Sequence, residues 1–266
     1  MYNLHRAFNT PPSEAVLWRY TDFTKFLSFL DSGKLWFARV DTLGDPFEGS
    51  NSAADAESPT FHYAGELRGL TPTERKIREE MGFAPRTHKE IDREAHQDWG
   101  RFTMVSCWCM SDEESDALWR VYASPQSGIA LKTTFDAFKE SLICPEEVSI
   151  GVVQYLDYHK ERIPQDNMFN FYLRKRLAFE HEHEVRAVHL HVPGTINPIT
   201  HQYEPAPTEQ DLLGKYLQVD ISILVSKVVV APFAPDWFLA MTRSVVSRYG
   251  FKFPVVRSNL SEGPIF

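Results

Sequence analysis

The chain has 266 residues and a formal net charge of −8, with 43% hydrophobic and 24% charged residues. These are ordinary globular proportions, and a chain of this length buries roughly 75% of its unfolded surface. The acidic balance argues against broad electrostatic binding to nucleic acid or to an anionic membrane. No apolar run approaches the roughly 20 residues of a membrane-spanning helix, and the first residues lack a secretion signal. We expect a soluble, cytoplasmic protein without a membrane partner.

The N-terminal part predicts a strand–helix–strand unit followed by a loop. In chain order, the elements are a strand at residues 17–20, a helix at 23–30, a strand at 35–40 and a turn at 44–46. Thr21 or Asp22 is the expected helix cap, and Gly33 ends the helix. The turn opens a polar loop, in which Asp45 either caps the turn or joins Glu48 in contacting a ligand.

The middle part combines a charged segment with further strands and helices. In chain order, the elements are a helical insertion or lid around residues 58–100, a strand at 102–110, a helix that carries residues 117–121, a strand at 128–133 and a helix at 135–142. Ser111 and Glu114 have the spacing of a capping box at the start of the second helix.

The C-terminal part mixes strands and helices irregularly. In chain order, the elements are a strand at 150–158, a helix from 167 to about 178, strands at 182–192, 216–219 and 227–231, a helix at 235–249 and a last strand at 255–257. The basic run from Arg174 to Arg176 is interpreted as a solvated helix face.

The order of elements predicts the fold class. The chain shows no regular strand–helix alternation, no internal repeat and no linker, which favours one α+β domain over residues 1–266. We expect a bent, mostly antiparallel mixed sheet flanked by helices, with Trp36, Val105, Ile129 and Val185 buried in it.

Three cysteines bear on the redox compartment and on metal binding. An odd number of cysteines without a signal peptide suits a reducing environment. Cys107 and Cys109 share one face of a predicted strand, but no further ligands follow at zinc spacing. We therefore expect Cys107, Cys109 and Cys144 to be reduced, buried and free of metal.

Alternating glutamates mark the segment FEHEHEVRAV at residues 179–188. If a strand begins before Glu180, then Glu180, Glu182 and Glu184 all lie on one face. Clustered carboxylates raise one another's pKa and cost stability unless something binds there. Such a face can bind a metal, transfer protons or stabilise a cationic transition state; a solvated strand edge is the alternative without function. A metal site would need ligands from other segments besides His181 and His183.

Several blocks of the sequence resemble a known bacterial family. DPFE at residues 45–48, ESDALWRVYA at 114–123 followed by GIAL at 128–131, and FEHEHEVRAV look like the phage-defence-associated family catalogued as domain of unknown function 2971. The resemblance spans nearly all of residues 17–260 and is weakest over 58–99. Because that family has no settled biochemistry, the resemblance implies a setting in phage defence and no particular reaction.

A more distant resemblance is to ADP-ribosyltransferases, including toxins that modify DNA. The residues that carry it are Arg19, Tyr20 and Thr21 for the first strand, either residues 103–108 or 119–122 for the middle element, and Glu182 to Glu184 for the late Glu-x-Glu strand. This resemblance implies an ADP-ribosyltransferase-like fold with NAD as the substrate and no metal.

The roles implied by this resemblance follow from the chemistry of nicotinamide release. Breaking the nicotinamide–ribose bond creates an oxocarbenium-like centre, which a nearby carboxylate stabilises. Glu184 is the implied catalytic residue, and Glu182 orients the nucleophile. The implied NAD-binding residues are Arg19, Tyr20, Thr21, Trp119 and Tyr122. We expect Arg19, Tyr20, Glu182 and Glu184 to border one cleft, with Trp119 or Tyr122 nearby and the loop 45–48 at its mouth.

Three functions are therefore carried forward. The lead hypothesis is an NAD-using ADP-ribosyltransferase or NAD glycohydrolase, a toxin or phage-defence effector with an unidentified acceptor macromolecule. The alternative is a non-catalytic ligand-sensing or binding module in phage defence that takes a nucleotide or protein ligand. The third is a metal-dependent nuclease or hydrolase. A transferase requires Arg19 and Glu184 to converge, and a metal enzyme requires three ligands around one point.

Overall fold

The computed structural model describes residues 1–56, 99–192, 194–196, 203–205 and 212–263. In chain order, the elements are β1 (Val16–Asp22), α1 (Phe23–Ser32), β2 (Lys34–Arg39), α2 (Ala53–Ala56), β3 (Thr103–Met110), α3 (Asp116–Tyr122), β4 (Gly128–Thr134), α4 (Phe135–Ser141), β5 (Ser149–Val152), β6 (Gln154–Leu156), β7 (Arg174–Arg176), β8 (Glu184–Leu190), β9 (Gly194–Ile196), β10 (Tyr203–Pro205), β11 (Gly214–Gln218), α5 (Ile221–Leu224), β12 (Lys227–Val230), α6 (Asp236–Arg248) and β13 (Val255–Arg257). Short 3-10 helices occur at Val40–Thr42, Met168–Tyr172, Leu177–Glu182 and Asn259–Ser261. The predicted insertion at 58–100 lies almost wholly outside the described residues.

Nine of the strands form one mixed sheet in the order β11-β2-β3-β1-β4-β12-β13, with β8 beside β3 and β5 beside β8. Every pairing in this sheet is antiparallel except that of β12 with β13. The α+β class with a mostly antiparallel sheet and flanking helices is thereby confirmed. The predicted strands at 17–20, 35–40, 102–110, 128–133 and 182–192 all lie in this sheet, and Val105, Ile129 and Val185 are buried, whereas Trp36 is only partly buried.

The sheet forks at β3. One edge of β3 pairs continuously with β8 over residues 103–109. The other edge pairs with β2 at residues 104–105 and with β1 at 109–110. Strands β1 and β2 therefore diverge beside the middle of β3.

Local sequence explains how α1 begins and ends. The Asp22 carboxylate accepts a hydrogen bond from the Lys25 backbone N–H at 2.8 Å, which satisfies a free donor of the first turn. Gly33 adopts a left-handed conformation with φ 66° and donates to the Phe29 carbonyl. Between them, Phe26, Phe29 and Leu30 pack into the core. The predicted helix is confirmed, with Asp22 as its cap.

Strand pairing decides which side chains share a face of the sheet, because directly opposed residues of an antiparallel pair point to the same side. Trp18 opposes Cys109, and Cys109 opposes Glu184. We call the side of the sheet that carries Trp18, Cys109 and Glu184 the carboxylate face. The side that carries the alternating residues, among them Trp108 and Val185, is the opposite face.

Two predicted elements are wrong because tertiary pairing overrides local pattern. The predicted strand at 150–158 is divided, since Val153 donates to Glu184 and the next residue, Gln154, donates to Leu173. The predicted helix from 167 to about 178 consists instead of a 3-10 turn followed by β7, which pairs in parallel with β6. The basic run is therefore a strand, and its central Lys175 is buried.

The predicted capping box at Ser111 is also wrong. The residue that caps α3 is Ser115, whose side chain accepts from the Leu118 backbone N–H. Ser111 instead forms a local turn with Glu113, and the Glu114 carboxylate accepts from Ser258 and from the Asn259 backbone. The Glu114 carboxylate thus binds residues 258–259, which are distant in sequence, and does not cap the start of the helix as the local pattern predicted.

The cysteines and helices carry two further findings. Cys107, Cys109 and Cys144 are all free thiols, with Cys107 partly and the other two fully buried. Within the described ranges, no helix combines the length and apolar character that crossing a membrane requires.

Candidate functional site

A buried ionic cluster lies on the carboxylate face at the start of β8. Arg186 is fully buried, and its Nε lies 2.7 Å from Glu184 Oε1. Its two terminal nitrogens bind the Glu48 carboxylate in bidentate fashion, at 2.6 and 2.7 Å. A charge-assisted pair of this geometry is among the stronger polar contacts in proteins, so Arg186 holds two separate acidic segments together.

Lys175 from β7 completes the cluster. Its Nζ lies 2.5 Å from Glu182, 3.2 Å from Glu184 and 3.7 Å from Glu48. Three carboxylates thus surround two cations, which leaves a formal excess of one negative charge. The other oxygen of Glu182 accepts a hydrogen bond from the Tyr122 hydroxyl, which links the cluster to the surface.

The backbone conformation of residues 177–184 decides which of the three glutamates belong to the cluster. Residues 177–182 form a 3-10 helix, so the strand begins at Glu184, the condition for three aligned glutamates is not met, and Glu180 is exposed. His183 then adopts φ 43°, the left-handed region that few residues other than glycine enter. The two glutamates on either side of His183 both contact Lys175.

The loop after β2 closes over the cluster. Asp45 caps the turn, as one of its two interpretations expected, because it accepts from the Phe47 backbone N–H at 3.1 Å; it also pairs with Arg176 at 2.6 Å. Glu48 reaches Arg186, as described above. Gly49 has φ 72°, and a Cβ there would lie 2.6 Å from the Tyr172 ring, so the loop needs a glycine at this position.

Gly49→Ala should destabilise the protein more than Gly33→Ala does. Both residues are left-handed, and each alanine should lose about 1–2 kcal/mol for that conformation. Only Gly49 adds a clash with a ring, whereas the space around Gly33 is open. Overpacking of this kind typically adds about 1–3 kcal/mol. Urea unfolding of the two variants measures the difference, and equal losses would show that the ring contact is unimportant.

Burial and the neighbouring charges shift the pKa values of several groups in the cluster. Burial alone would raise the pKa of Glu184, but Arg186 and Lys175 outweigh it and lower the pKa to about 2. Burial and the neighbouring Glu184 raise the pKa of the Cys107 thiol, so Cys107 stays protonated. Burial and Glu182 likewise raise the pKa of Tyr122. At neutral pH the cluster therefore combines an ionised Glu184 with a protonated Cys107 thiol and a protonated Tyr122 phenol.

Exposed aromatic and basic side chains surround the cluster. Tyr122 is 49% exposed and Phe47 is 44% exposed. The guanidinium carbon of Arg176 lies 4.1 Å from the Phe47 ring centre and 5.3 Å from that of Phe179. We call Phe47, Tyr122, Arg176 and Phe179 the surface rim. Each of them directly contacts a member of the cluster or the Asp45–Arg176 pair beside it.

The structure brings only part of the predicted site together. Glu182, Glu184 and Tyr122 meet in the cluster. Tyr20 packs edge-on against Trp119 at 5.0 Å, and its hydroxyl accepts from the Ser115 backbone. Trp119 is fully buried and donates to Glu114, so neither ring presents a free face to a ligand.

Arg19 points away from the predicted cleft. It follows Trp18 in β1 and contacts Ser106 and Trp108, which alternate along β3 with the cysteines of the carboxylate face. Its guanidinium also donates to the Trp36 carbonyl at 3.3 Å, across the fork between β1 and β2. Thr21 lies on the same side as Arg19 by strand alternation. The predicted convergence of Arg19 with Glu184 is therefore wrong.

Sequence reasoning missed Lys175 and Arg186, the two cations of the cluster. A usable signal existed for Arg186, because it stands two residues after Glu184 in an otherwise apolar strand. A charge in such a strand must be paired if it is buried. Lys175 carried no comparable signal, since a helix was the expected structure around it.

The metal hypothesis gains no support from the described part of the chain. Within those residues, no group of three or more His, Cys, Asp or Glu side chains is placed to hold a metal ion. The glutamates of the cluster face Lys175 and Arg186 instead.

Comparison with protein-family models, curated protein sequences and solved structures gave no match to this chain. What the site does is therefore inferred from its own geometry and chemistry.

Proposed function

We propose that the chain is a ligand-binding module whose site is the surface rim over the ionic cluster, with NAD or a related nucleotide as its ligand. The observation that carries this proposal is the separation of Arg19 from Glu184 on opposite faces of the sheet. A transferase built on those two residues needs them in one cleft. A binding module does not.

The contacts of Glu184 also favour a binding module over a transferase. Both of its oxygens already bind cations, Oε1 at 2.7 Å from Arg186 and Oε2 at 3.2 Å from Lys175. A carboxylate that stabilises a developing positive charge must face the reacting atom. Glu184 is therefore assigned a positioning role, in which it holds Lys175 and Arg186.

The five buried charges of the cluster are better explained by a role in ligand recognition than by a contribution to stability. Replacing buried ion pairs by apolar residues of similar volume is often neutral or stabilising, so stability alone gives little reason for five buried charges. Perturbed ionisable groups of this kind concentrate at functional sites. The excess negative charge and the aromatic rim suit a ligand with a cationic ring and hydroxyl groups, which describes the nicotinamide ribose of NAD.

An NAD-using transferase or glycohydrolase remains the second candidate, and Glu182 is the observation that favours it. One oxygen of Glu182 binds the hydroxyl of the half-exposed Tyr122. A ribose hydroxyl of a ligand can replace that phenol. Under this candidate, Glu182 and not Glu184 is the residue that touches substrate.

Calorimetric titration with NAD, ADP-ribose and nicotinamide mononucleotide tests the proposal, with nicotinamide release measured on the same samples. Glu182→Gln should weaken binding about tenfold, since a hydrogen bond to a charged group contributes roughly 1.5–3 kcal/mol. Glu180→Gln, on the same 3-10 helix but exposed, is the matched control and should bind normally.

Three results separate the candidates. Binding without nicotinamide release supports the module. Nicotinamide release that Glu182→Gln abolishes supports the second candidate and overturns the first. Failure of the wild type to bind any of the three nucleotides overturns the nucleotide proposal.

A further inference from the structure

Arg176 occupies an aromatic cage at the surface rim. Its guanidinium lies over two phenyl rings, those of Phe47 and Phe179, and pairs with Asp45 at 2.6 Å. The Asp45 side chain is only 4% exposed, whereas that of Arg176 is 33% exposed. A buried carboxylate and two ring faces thus enclose a cation that water still reaches.

We propose that this cage, formed by Asp45, Phe47 and Phe179, is a binding site for an organic cation and that Arg176 is its internal occupant. The ligand class is a compact cation such as a quaternary ammonium or a pyridinium ring. Aromatic faces attract such cations electrostatically, and aromatic cages are a recurrent means of binding quaternary ammonium groups. If the cation is the pyridinium of NAD, this inference rests on the proposed function; for other cations it does not.

The cage keeps its shape independently of Arg176. The Asp45 carboxylate also accepts from the Phe47 backbone N–H, which fixes the two residues relative to each other. Glu48, in the same loop, is held by the bidentate pair with Arg186. On the other side, the Phe179 ring contacts Lys175 Nζ at 4.7 Å. Removal of the guanidinium should therefore leave a vacant cage with an unpaired carboxylate.

The chemistry of the cage also sets its selectivity. Asp45 would lie against the ligand, and the cluster nearby carries an excess of one carboxylate. A neutral molecule of the same shape gains only the apolar contact with the rings. An anion is repelled by the same carboxylate. Charge and shape together should therefore distinguish a cation from its neutral isostere.

Choline and its uncharged isostere 3,3-dimethyl-1-butanol are the probes for the experiment, with binding followed by NMR titration of the full chain. Arg176→Ser should bind choline at least about tenfold more tightly than the wild type, because the internal competitor is gone. The neutral isostere should bind neither protein measurably. Arg120→Ser removes an exposed arginine from α3 and is the matched control, expected to behave like the wild type.

Phe47→Leu in the Arg176→Ser background should reverse most of the gain, since it removes one ring and no charge. Thermal unfolding verifies that each variant is folded. Should Arg176→Ser unfold, Arg176→Gln replaces it, since its amide still donates to Asp45. The inference would be overturned if wild type and Arg176→Ser bound choline with equal affinity, or if Arg176→Ser bound choline and the neutral isostere with equal affinity.

Titration with oxidised and with reduced nicotinamide mononucleotide tests whether the organic cation that the cage binds is the pyridinium ring of NAD. Preference of Arg176→Ser for the oxidised form shows that the cage accepts a pyridinium ring. Choline binding without that preference supports the cage and counts against its use for NAD. Conversely, NAD binding that Phe47→Leu leaves unchanged overturns the use of the cage for the pyridinium of NAD, while the proposed function stands.

Discussion

Arg186→Met should lower the free energy of unfolding by about 3–5 kcal/mol, the range observed when one partner of a buried ion pair is removed. The methionine keeps most of the side-chain volume but leaves Glu48 without its bidentate partner and Glu184 without its nearest cation. Both carboxylate side chains are at most 5% exposed, so water cannot replace the lost contacts. Urea denaturation at pH 7 measures the loss.

Two variants make this result specific. Arg120→Met breaks an exposed pair with Asp116 and should leave the free energy of unfolding close to that of the wild type. The triple variant Glu48→Leu, Glu184→Leu and Arg186→Met removes the charges together and should recover much of the stability. A loss for Arg186→Met no larger than that for Arg120→Met would show that the cluster is solvated.

Acid should remove the stability that Glu184 provides. Its pKa is lowered from 4.5 to about 2 in the folded protein. The ionised carboxylate thus stabilises the folded state fully above pH 4.5, and this contribution is lost as the pH falls from about 4.5 towards 2. A shift of this size corresponds to about 3 kcal/mol.

Comparing wild type with Glu184→Gln between pH 7 and pH 2.5 isolates this contribution. Glutamine cannot ionise, so the difference in unfolding free energy should be largest near neutral pH and shrink below pH 4.5. Glu180→Gln, which alters an exposed carboxylate, should show a small difference that varies little with pH. A difference for Glu184→Gln that stays constant down to pH 3 contradicts the low pKa.

Elements with a strong local pattern followed from the sequence by itself. The apolar runs of β1, β3 and β4, the Asp22 cap and the Gly33 terminus of α1 all depend on residues adjacent in the chain. The class of the fold followed from the irregular order of strands and helices. The glutamates of FEHEHEVRAV also marked a segment that contributes Glu182 and Glu184 to the ionic cluster, because carboxylates in an otherwise apolar segment need partners.

The site itself was decided by tertiary structure. Whether Arg19 meets Glu184 depends on which strands pair and in which register, since one residue along a strand changes the face of the sheet. A regular strand would place Glu180, Glu182 and Glu184 on one face, whereas the 3-10 helix at residues 177–182 leaves Glu180 exposed and only Glu182 and Glu184 contact Lys175.

Lys175 shows most clearly what local sequence could not predict. Its sequence surroundings favour a helix with a solvated basic face, yet pairing of β7 with β6 buries it among three carboxylates. Those carboxylates come from residues 48, 182 and 184, and Glu48 is distant from Lys175 along the chain. The energy of a buried charge depends on partners that only the folded chain brings within a few ångströms. Local sequence therefore determined the elements that have a strong pattern of their own, whereas long-range packing determined β7 and which charges meet.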